Sequence, residues 1–447
     1  MKKGFNQIMG VLLLLLLAVS INAQSESKKK LSLKEALDMA KEKNFEIKLA
    51  QTDVDRMQAD KNSSLAVFLP QVTLSETFIR TNDPLNSFGF KLKQEIVTAM
   101  DFNPMLLNDP AIINNYTTKL EVKQPLLNFD GFYGRSAASN AVDAMEYKLK
   151  RTKEFIEFQV KVSYYQVLLA KRSLKVVDKA LKAAINGRNT AKDYFDKGYM
   201  NKADYLMAEV YVSSMESNKL EALNGYFTAS NNLKFLLDIK GEETIEPTDE
   251  LTKPSVSEYD YSFEEINEVR TDMMAMKHRI AALESASTMN YLKFVPRLNA
   301  FGSYEYNDKD LGGTGGDSWM VGLNLQWNVF NGFQNIAGIQ KSQAELDNAR
   351  VSFNKAKSQN RVEVESAIGD LETAKKKLVL ASKALEQSNE SLRIMRDRFE
   401  KGLEKTADLL RVEAENSNSN LNYLKTLFFY NVSVYKTELM LGKKITL

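Results

Sequence analysis

Two long stretches of this chain contain no proline, and this strongly limits how the chain folds. The eight prolines lie at positions 70, 84, 104, 110, 125, 247, 254 and 296, which leaves residues 126–246 and 297–447 without one. Because an interior proline kinks or breaks a helix, both stretches favour long helices. A helix from Gly131 to Lys197 would be about 100 Å long, at about 1.5 Å per residue. A compact globular domain does not accommodate such a helix.

A seven-residue repeat of apolar side chains runs through both stretches and predicts coiled-coil packing. In the second half, the a and d positions of the heptad form what we call the heptad seam. One set of positions carries large side chains, Val364, Leu371, Leu378, Leu385, Leu392 and Phe399, and the other carries mostly small ones, Ala367, Ala374, Ala381, Ser388 and Met395. The same seam lies 204 positions earlier: Val160, Val167, Leu174, Leu181, Arg188 and Phe195, with Ser163, Ala170, Val177, Ala184 and Ala191. Only Arg188 breaks it. A sustained heptad imposes a left-handed supercoil.

Shorter motifs recur in the same order and indicate a duplication. Phe-Leu-Pro at 68–70 returns as Phe-Val-Pro at 294–296, and Asp-Tyr-Phe-Asp-Lys-Gly at 193–198 returns as Asp-Arg-Phe-Glu-Lys-Gly at 397–402. The acidic segment from Gly241 to Glu258 contains two prolines and is predicted to link the copies. We therefore expect two structural repeats, residues 24–250 and residues 251–447, after a leader of residues 1–23.

The leader has the features of a secretory signal peptide, so we expect an exported protein. Lys2 and Lys3 precede a short apolar run, Val11–Val19, and a small-residue cleavage site at Ala23. Removing residues 1–23 takes away two of the 60 basic residues and none of the 58 acidic ones, which leaves no net charge. This balance argues against nucleic acid as a partner. After residue 23 no apolar run reaches membrane-spanning length, so any membrane crossing has to be made by strands.

Four segments alternate apolar and polar side chains with a period of two, and each is long enough for a tilted membrane-spanning strand. The predicted strands are residues 71–79, 117–126, 297–306 and 318–328. The last has the clearest apolar row, with a tryptophan at each end: Trp319, Val321, Leu323, Leu325 and Trp327. Aromatic side chains at strand ends suit the membrane interfaces, so this row is predicted to face lipid.

The alternative for these strands is a pair of ordinary soluble hairpins, each with one buried face. We favour membrane strands because long helices flank both hairpins, so that their loops, Arg80–Tyr116 and Asn307–Ser318, point away as solvent-facing tips. Four strands cannot close a barrel, and lipid does not tolerate an open sheet edge. Closure needs several copies of the chain: two would give eight strands and three would give twelve.

Together these motifs resemble the outer-membrane efflux proteins of the TolC type, over essentially the whole mature chain. The resemblance implies a mostly α-helical fold in which coiled-coil hairpins and four strands per chain assemble as a homotrimer. Its parts would be a twelve-stranded transmembrane β-barrel in the outer membrane and an α-helical periplasmic tunnel. It also implies docking onto a periplasmic adaptor (membrane fusion) protein and an inner-membrane transporter of the RND or ABC class. The expected function is the exit duct of a tripartite efflux or type I secretion system.

The paired glycines at the ends of the heptads predict helix–turn–helix tips. Gly198 and Gly402 each follow a Phe-acid-Lys motif, and glycine accepts the left-handed conformation of a helix end. By resemblance, these tips, with Tyr199 and Leu403, would contact the adaptor. The resemblance also places acidic residues near the closed end of the tunnel, where Asp204 and Asp408 would form a constriction. Local caps or ion pairs are the alternative, and Arg411 could pair with Asp408 to hold the mouth shut.

The pattern of chemistry-bearing residues does not favour an enzyme. His278 is the only histidine and there is no cysteine, so the ligands of a typical zinc site are missing. We see no phosphate-binding loop and no nucleophile motif, and we expect neither a cofactor nor a catalytic site. A periplasmic coiled-coil adaptor or scaffold is the competing hypothesis, because it explains the helices but not the Trp319–Trp327 row.

Overall fold

The computed structural model describes residues 28–258 and 260–446, and helices dominate it. The predicted signal peptide, residues 1–23, lies outside the described residues. In chain order the elements are β1 (Lys28–Leu31), α1 (Leu33–Lys43), α2 (Phe45–Ser63), β2 (Gln71–Thr81), α3 (Pro84–Lys93), α4 (Pro104–Asn108), β3 (Ile113–Leu127), α5 (Phe129–Asp196), α6 (Lys202–Leu236), β4 (Thr244–Pro247), α7 (Phe263–Val269), α8 (Thr271–Leu292), β5 (Arg297–Asp308), β6 (Gly316–Gln326), α9 (Gln334–Glu400) and α10 (Thr406–Leu441).

The chain divides into two compact units, and each takes residues from both sequence repeats. Among the described residues, the first contains Lys28–Leu49, Lys150–Arg270 and residues 359–446. The second contains Ala50–Leu149 and Thr271–Ser358. Corresponding parts of the two repeats therefore pack with each other inside a unit.

Two continuous helices, α5 and α9, carry the heptads and are 68 and 67 residues long. In the first unit every seam position is at least half-buried, and Val160, Val167, Val364 and Ala367 are fully buried. The predicted seam is confirmed in both repeats, and Arg188 is a half-buried exception whose guanidinium bonds to Asn189 beside it. Within residues 28–258 and 260–446, no helix is both long and apolar enough to cross a membrane.

A two-stranded parallel sheet in the first unit was not predicted. Strand β1 pairs with β4, which lies inside the segment that the sequence suggested was a linker. Ile245 of β4 is fully buried; its N–H donates to Ser230 Oγ at 2.8 Å, and its carbonyl accepts from the Tyr226 hydroxyl at 2.7 Å. The segment between the repeats is therefore part of a packed core.

The second unit holds a four-stranded antiparallel sheet in the order β2-β3-β5-β6. All four predicted strands are present, although β3 begins four residues before the predicted start and β6 ends at Gln326. Strands β3 and β5 come from different repeats and lie at the centre, so β2 and β6 form the two edges. The register shifts near Pro125, as expected where proline cannot donate a ladder hydrogen bond.

The segment between β2 and β3 corrects one expectation. We predicted that Arg80–Tyr116 is a solvent-facing loop, but residues 82–112, which we call the insert, contain α3 and α4 and pack against the sheet. Ser87 and Gln94 of the insert are buried. The sequence contained a signal for both helices, because Asp83-Pro84 and Asn103-Pro104 each place a capping side chain before a proline at the first helical position.

Candidate functional site

One face of the four-stranded sheet is almost continuously apolar. Directly paired residues share a face, so the register defines its rows across β2, β3, β5 and β6. Two rows cross all four strands: Leu74, Leu120, Tyr304 and Trp319 form one, and Val72, Val122, Gly302 and Val321 form the next. A third row crosses β3, β5 and β6 with Gln124, Ala300 and Leu323, and a fourth pairs Leu298 of β5 with Leu325 of β6. Four of the five predicted lipid-facing residues, Trp319, Val321, Leu323 and Leu325, lie on this face, with side chains between 68% and 71% exposed in the single chain.

Trp327 departs from the prediction in one respect, because it lies one residue beyond the end of β6. Its indole Nε1 donates to the Phe294 carbonyl at 2.9 Å. The other end of the apolar face is bounded by a polar row, Glu76, Thr118, Tyr306 and Asp317. In that row Thr118 hydrogen-bonds to Glu76, and Asp317 accepts from Tyr304 at 2.6 Å. The apolar face therefore has a polar or amphipathic group at each end.

The opposite face of the same sheet is polar and charged. On β3 the carboxylate of Glu121 lies between two lysines, 3.4 Å from Lys119 Nζ and 3.0 Å from Lys123 Nζ. Glu305 of β5 pairs with Lys119 in the strand register. Asn299 and Asn324 are paired on the same face nearer the helices. One sheet thus has an apolar side suited to hydrocarbon and a polar side suited to water.

The junction between β3 and α5 depends on a glycine. A Cβ added to Gly131 would lie 1.9 Å from Val67 Cγ1, so the turn before β2 packs directly on the first turn of α5. Asp130 beside it is buried and forms an ion pair with Arg297 at the start of β5. The matching Gly332 is conserved between the repeats for another reason, since its φ is +66° and it lies in the left-handed region.

The helix ends at the two predicted tips have the same geometry. Gly198 and Gly402 have φ values of +76° and +72°. In the first tip the N–H of Gly198 donates to Phe195 O at 2.9 Å, and that of Tyr199 donates to Tyr194 O at 2.8 Å. Gly402 and Leu403 make the equivalent bonds to Phe399 and Arg398. Both are Schellman motifs, so the predicted turns are confirmed in their geometry.

A small core supports the tips in the first unit. Ala191 of α5, Ala208 of α6 and Leu410 of α10 are buried together, and the ring of Phe195 stacks on Tyr205 at 5.6 Å. Burial and then the charge of Glu413 raise the pKa of Tyr211 to about 12, so this phenol remains neutral at physiological pH. Beyond this core Tyr199 is 81% exposed and Leu403 is 62% exposed. The tips thus present apolar side chains on a fixed backbone.

The three predicted constriction residues lie just after these tips and have different environments. Asp204 Oδ2 accepts from Asn201 Nδ2 at 2.8 Å, and the Asp204 N–H donates to Asn201 Oδ1 at 2.9 Å. Arg411 lies 3.9 Å from Glu415, one turn further along α10. Among the described residues we find no hydrogen bond or ion pair to the Asp408 carboxylate. Asp204 is therefore engaged in a local cap, and the described ion pair of Arg411 is with Glu415.

His278 packs against its neighbours in the second unit. Its ring stacks on Tyr147, with centroids 5.1 Å apart and planes 15° apart, and its Nδ1 lies 3.8 Å from Asp143.

Part of the chain is modestly similar in sequence to a known outer membrane protein. It is 25% identical over 143 residues to outer membrane protein OprJ of Pseudomonas aeruginosa. That match covers 31% of this chain and 30% of OprJ, so the chain spans about a third of the relative's length.

Solved structures match nearly the whole fold. A membrane protein from Pseudomonas aeruginosa superimposes with a TM-score of 0.79 at 19% identity, covering 92% of this chain and 93% of that one. The CmeC outer membrane channel of Campylobacter jejuni gives 0.78 at 16% identity, covering 93% and 86%. The predicted fold class, long helical hairpins with four strands per chain, is confirmed by these similarities. Because the outer membrane efflux protein profile also matches residues 36–238 and 263–427, most of both repeats, the chain belongs to the outer membrane efflux protein family.

Proposed function

We propose that this protein is the outer-membrane channel of a tripartite efflux or secretion system, formed by three copies of the chain. The observation that carries the proposal is the four-stranded sheet with one apolar and one polar face and with two free edges. In lipid every backbone polar group needs a partner, so the edges β2 and β6 have to pair between copies. The alternating direction of the four strands allows β6 of one copy to continue antiparallel into β2 of the next.

Three copies suit a channel better than two. An eight-stranded barrel has an interior just wide enough for its own side chains, whereas twelve strands leave room for a passage. The Trp319–Trp327 row extends about 27 Å along the strand at about 3.4 Å per residue. Tilted by about 40°, it spans about 20 Å, near the height of an outer-membrane apolar band. The apolar face would meet lipid, and Lys119, Glu121 and Lys123 would line the water-filled interior.

A pair of neighbouring substitutions tests this assignment of faces. Val321 and Met320 are both exposed but lie on opposite faces of β6. We expect Val321→Arg to reduce the heat-modifiable trimer in outer-membrane fractions, because arginine on the lipid face costs about 2–4 kcal/mol near mid-membrane. The matched control Met320→Arg would face water and leave the trimer intact. Equal assembly of both variants would contradict the barrel and favour a coiled-coil scaffold.

We propose further that Tyr199 and Leu403 at the tips contact a periplasmic adaptor protein, which couples the channel to an inner-membrane transporter. Exposed aromatic and apolar side chains on a rigid turn are typical anchors of a protein interface. Tyr199→Ala with Leu403→Ala should preserve trimer assembly but lower adaptor recovery in cross-linking from cells. Leu311→Ala, which truncates an exposed leucine of the β5–β6 loop, is the control. Unchanged recovery in the tip variant would remove these residues from the interface.

The two aspartates near the tips have separate roles in this proposal. Asp408 contributes charge to the constriction, because no described group engages its carboxylate. Asp204 stabilises the start of α6 through its reciprocal bonds with Asn201, and Arg411 moderates the charge of the mouth from its exposed position. Transport through such a duct is passive, and the role requires no cofactor.

A further inference from the structure

We propose that the insert, residues 82–112, is a plug that narrows the outer end of the channel from inside, with three copies meeting at the pore axis. This inference rests on the proposed function. It begins with the side of the sheet that the insert contacts. The contacts of its helix α3 and the turn after it are made with the polar face, at residues of β3, β5 and β6.

The closest approach is at the first residue of β6. Gly316 pairs with Asn307, so a Cβ at this position would lie on the polar face. That Cβ would lie 2.1 Å from the Lys93 carbonyl oxygen and 3.0 Å from Glu95 Cγ. The insert backbone therefore crosses directly over the polar face of the strand. A loop that extended outward into solvent would leave this space open.

An ion pair holds the end of α3 against the sheet. Lys93 Nζ lies 2.7 Å from Glu305 Oε1, whose carboxylate also accepts from Ser318 Oγ at 3.3 Å. Glu305 lies in the row adjacent to Tyr304 and Trp319, so the contact reaches the level at which the apolar face begins. The insert thus enters the membrane-spanning part of the sheet on its polar side.

A buried amide network strengthens this attachment. Gln94 Nε2 donates at 2.8 Å to both Asn115 Oδ1 and the Asn114 carbonyl. Asn115 Nδ2 in turn donates to Asn307 Oδ1 at 3.0 Å. Gln94, Asn115 and Asn307 are all at least 97% buried. Buried polar groups are costly unless all are paired, so the network favours one seated position of the insert.

The insert is itself internally ordered. Glu95 takes the left-handed position that ends α3, with φ at +57°, and so sets the direction of the chain after the helix. Lys91 pairs with Asp101 at 2.6 Å, and the rings of Phe88 and Phe102 pack edge to face at 5.6 Å. The insert is therefore a small folded body seated on the sheet.

The insert exposes an unusual number of large apolar side chains, and these indicate what covers it. Eight large apolar side chains are between 49% and 82% exposed: Leu85, Leu92, Ile96, Met100, Phe102, Met105, Leu106 and Ile112. An apolar patch of this kind marks an interaction site. Since the insert lies on the lumen side of the sheet, three-fold symmetry brings three such surfaces together inside the barrel. A second and a third copy of the insert are therefore the occupants, and their apolar collar would oppose the passage of water and ions.

The chain contains no cysteine, so proximity of the inserts can be tested with single cysteine variants. We expect Met105→Cys to form covalent dimers between copies on treatment with a short bis-maleimide. The control Leu311→Cys, at a residue that is 72% exposed against 80% for Met105 but lies on the β5–β6 loop, should remain monomeric after denaturation. Failure of Met105→Cys and Leu85→Cys alike to cross-link in intact trimers would overturn the plug. This result does not depend on whether the trimer conducts.

Single-channel conductance in planar bilayers provides a second test of the plug. Replacing residues 84–110 by a short glycine–serine turn should raise single-channel conductance several-fold. Lys93→Met keeps the insert but removes its ion pair with Glu305, so it should increase the frequency of high-conductance openings. Lys93→Glu combined with Glu305→Lys should restore the wild-type opening frequency. Wild-type conductance in both the deletion and Lys93→Met would overturn the plug. Trimers that cross-link through Met105→Cys but never conduct would contradict the proposed channel function and leave the placement of the inserts supported.

Discussion

The contact between Gly131 and Val67 allows a quantitative prediction about the strand–helix junction. A methyl group at Gly131 would be placed 1.9 Å from Val67 Cγ1 and 3.0 Å from its Cβ. Forcing extra methyl groups into a packed site costs about 1–3 kcal/mol. Alanine instead of glycine inside a helix returns about 0.5–1 kcal/mol. We therefore expect Gly131→Ala to lower the free energy of unfolding by about 1–2 kcal/mol.

The reasoning is tested by a double-mutant cycle, since Val67→Ala removes the methyl group that clashes. The shortest remaining contact would be the 3.0 Å approach to Val67 Cβ, so the rescue should be large but incomplete. Guanidinium unfolding of the detergent-solubilised protein, followed by tryptophan fluorescence, would give the four free energies. A coupling energy of about 1–2 kcal/mol in favour of the double variant is expected.

A matched control separates this clash from the general effect of alanine in a helix. Gly187 lies in the same helix, α5, and a Cβ there would meet no atom within 4 Å in the single chain. Gly187→Ala should thus be neutral or stabilising by up to about 1 kcal/mol. Additive effects of Gly131→Ala and Val67→Ala, or a loss at Gly187 equal to that at Gly131, would refute the close-packing explanation.

Three further predictions concern the tips and the seam. Asp408→Ala should reduce the preference for cations in reversal-potential measurements, whereas Asp204→Ala should leave it unchanged and cost only about 0.2–0.5 kcal/mol of stability, because it removes the side-chain bond to Asn201 but keeps the capped backbone N–H; equal selectivity changes would contradict the separation of roles. Gly402→Ala should cost about 1–2 kcal/mol because its backbone is left-handed, and a wild-type unfolding midpoint would show that the turn tolerates a side chain. Arg188→Leu should raise the thermal dissociation temperature of the proposed trimer by completing the first seam, and a lower temperature would indicate that the arginine has a partner in the assembly.

Periodicity made the long helices and the strands predictable. A heptad identifies both the helix and its buried side, and Val160 and Val364 are fully buried as the repeat requires. Period two identified the apolar row of β6 in the same way. The tips were predictable because glycine is the residue that most easily adopts the left-handed end of a helix.

Other features depended on partners distant in the chain and carried little local signal. Strand β1 is Lys-Lys-Lys-Leu, with no alternation that would indicate a strand, and it exists because residues 244–247 lie beside it. The insert was predicted as a solvent-facing loop although Asp83-Pro84 and Asn103-Pro104 mark the starts of its helices, because its contacts with the sheet are made to residues distant in the chain. The sequence did not decide that Asp204 bonds to Asn201, since several other local partners were within reach.

The sequence by itself determined the duplication, the heptad seam, the two glycine tips and the alternating strands, because each follows from the spacing of particular residue types along the chain. Only the tertiary structure decided that β3 and β5 of different repeats pair at the centre of one sheet, and that the insert is seated on its polar face. It also separated two glycines at equivalent positions: Gly131 is required by a neighbour 64 residues away in the sequence, and Gly332 by its own backbone angle. The local sequence pattern specifies which side chains are buried, whereas long-range packing specifies which distant residues they are buried against.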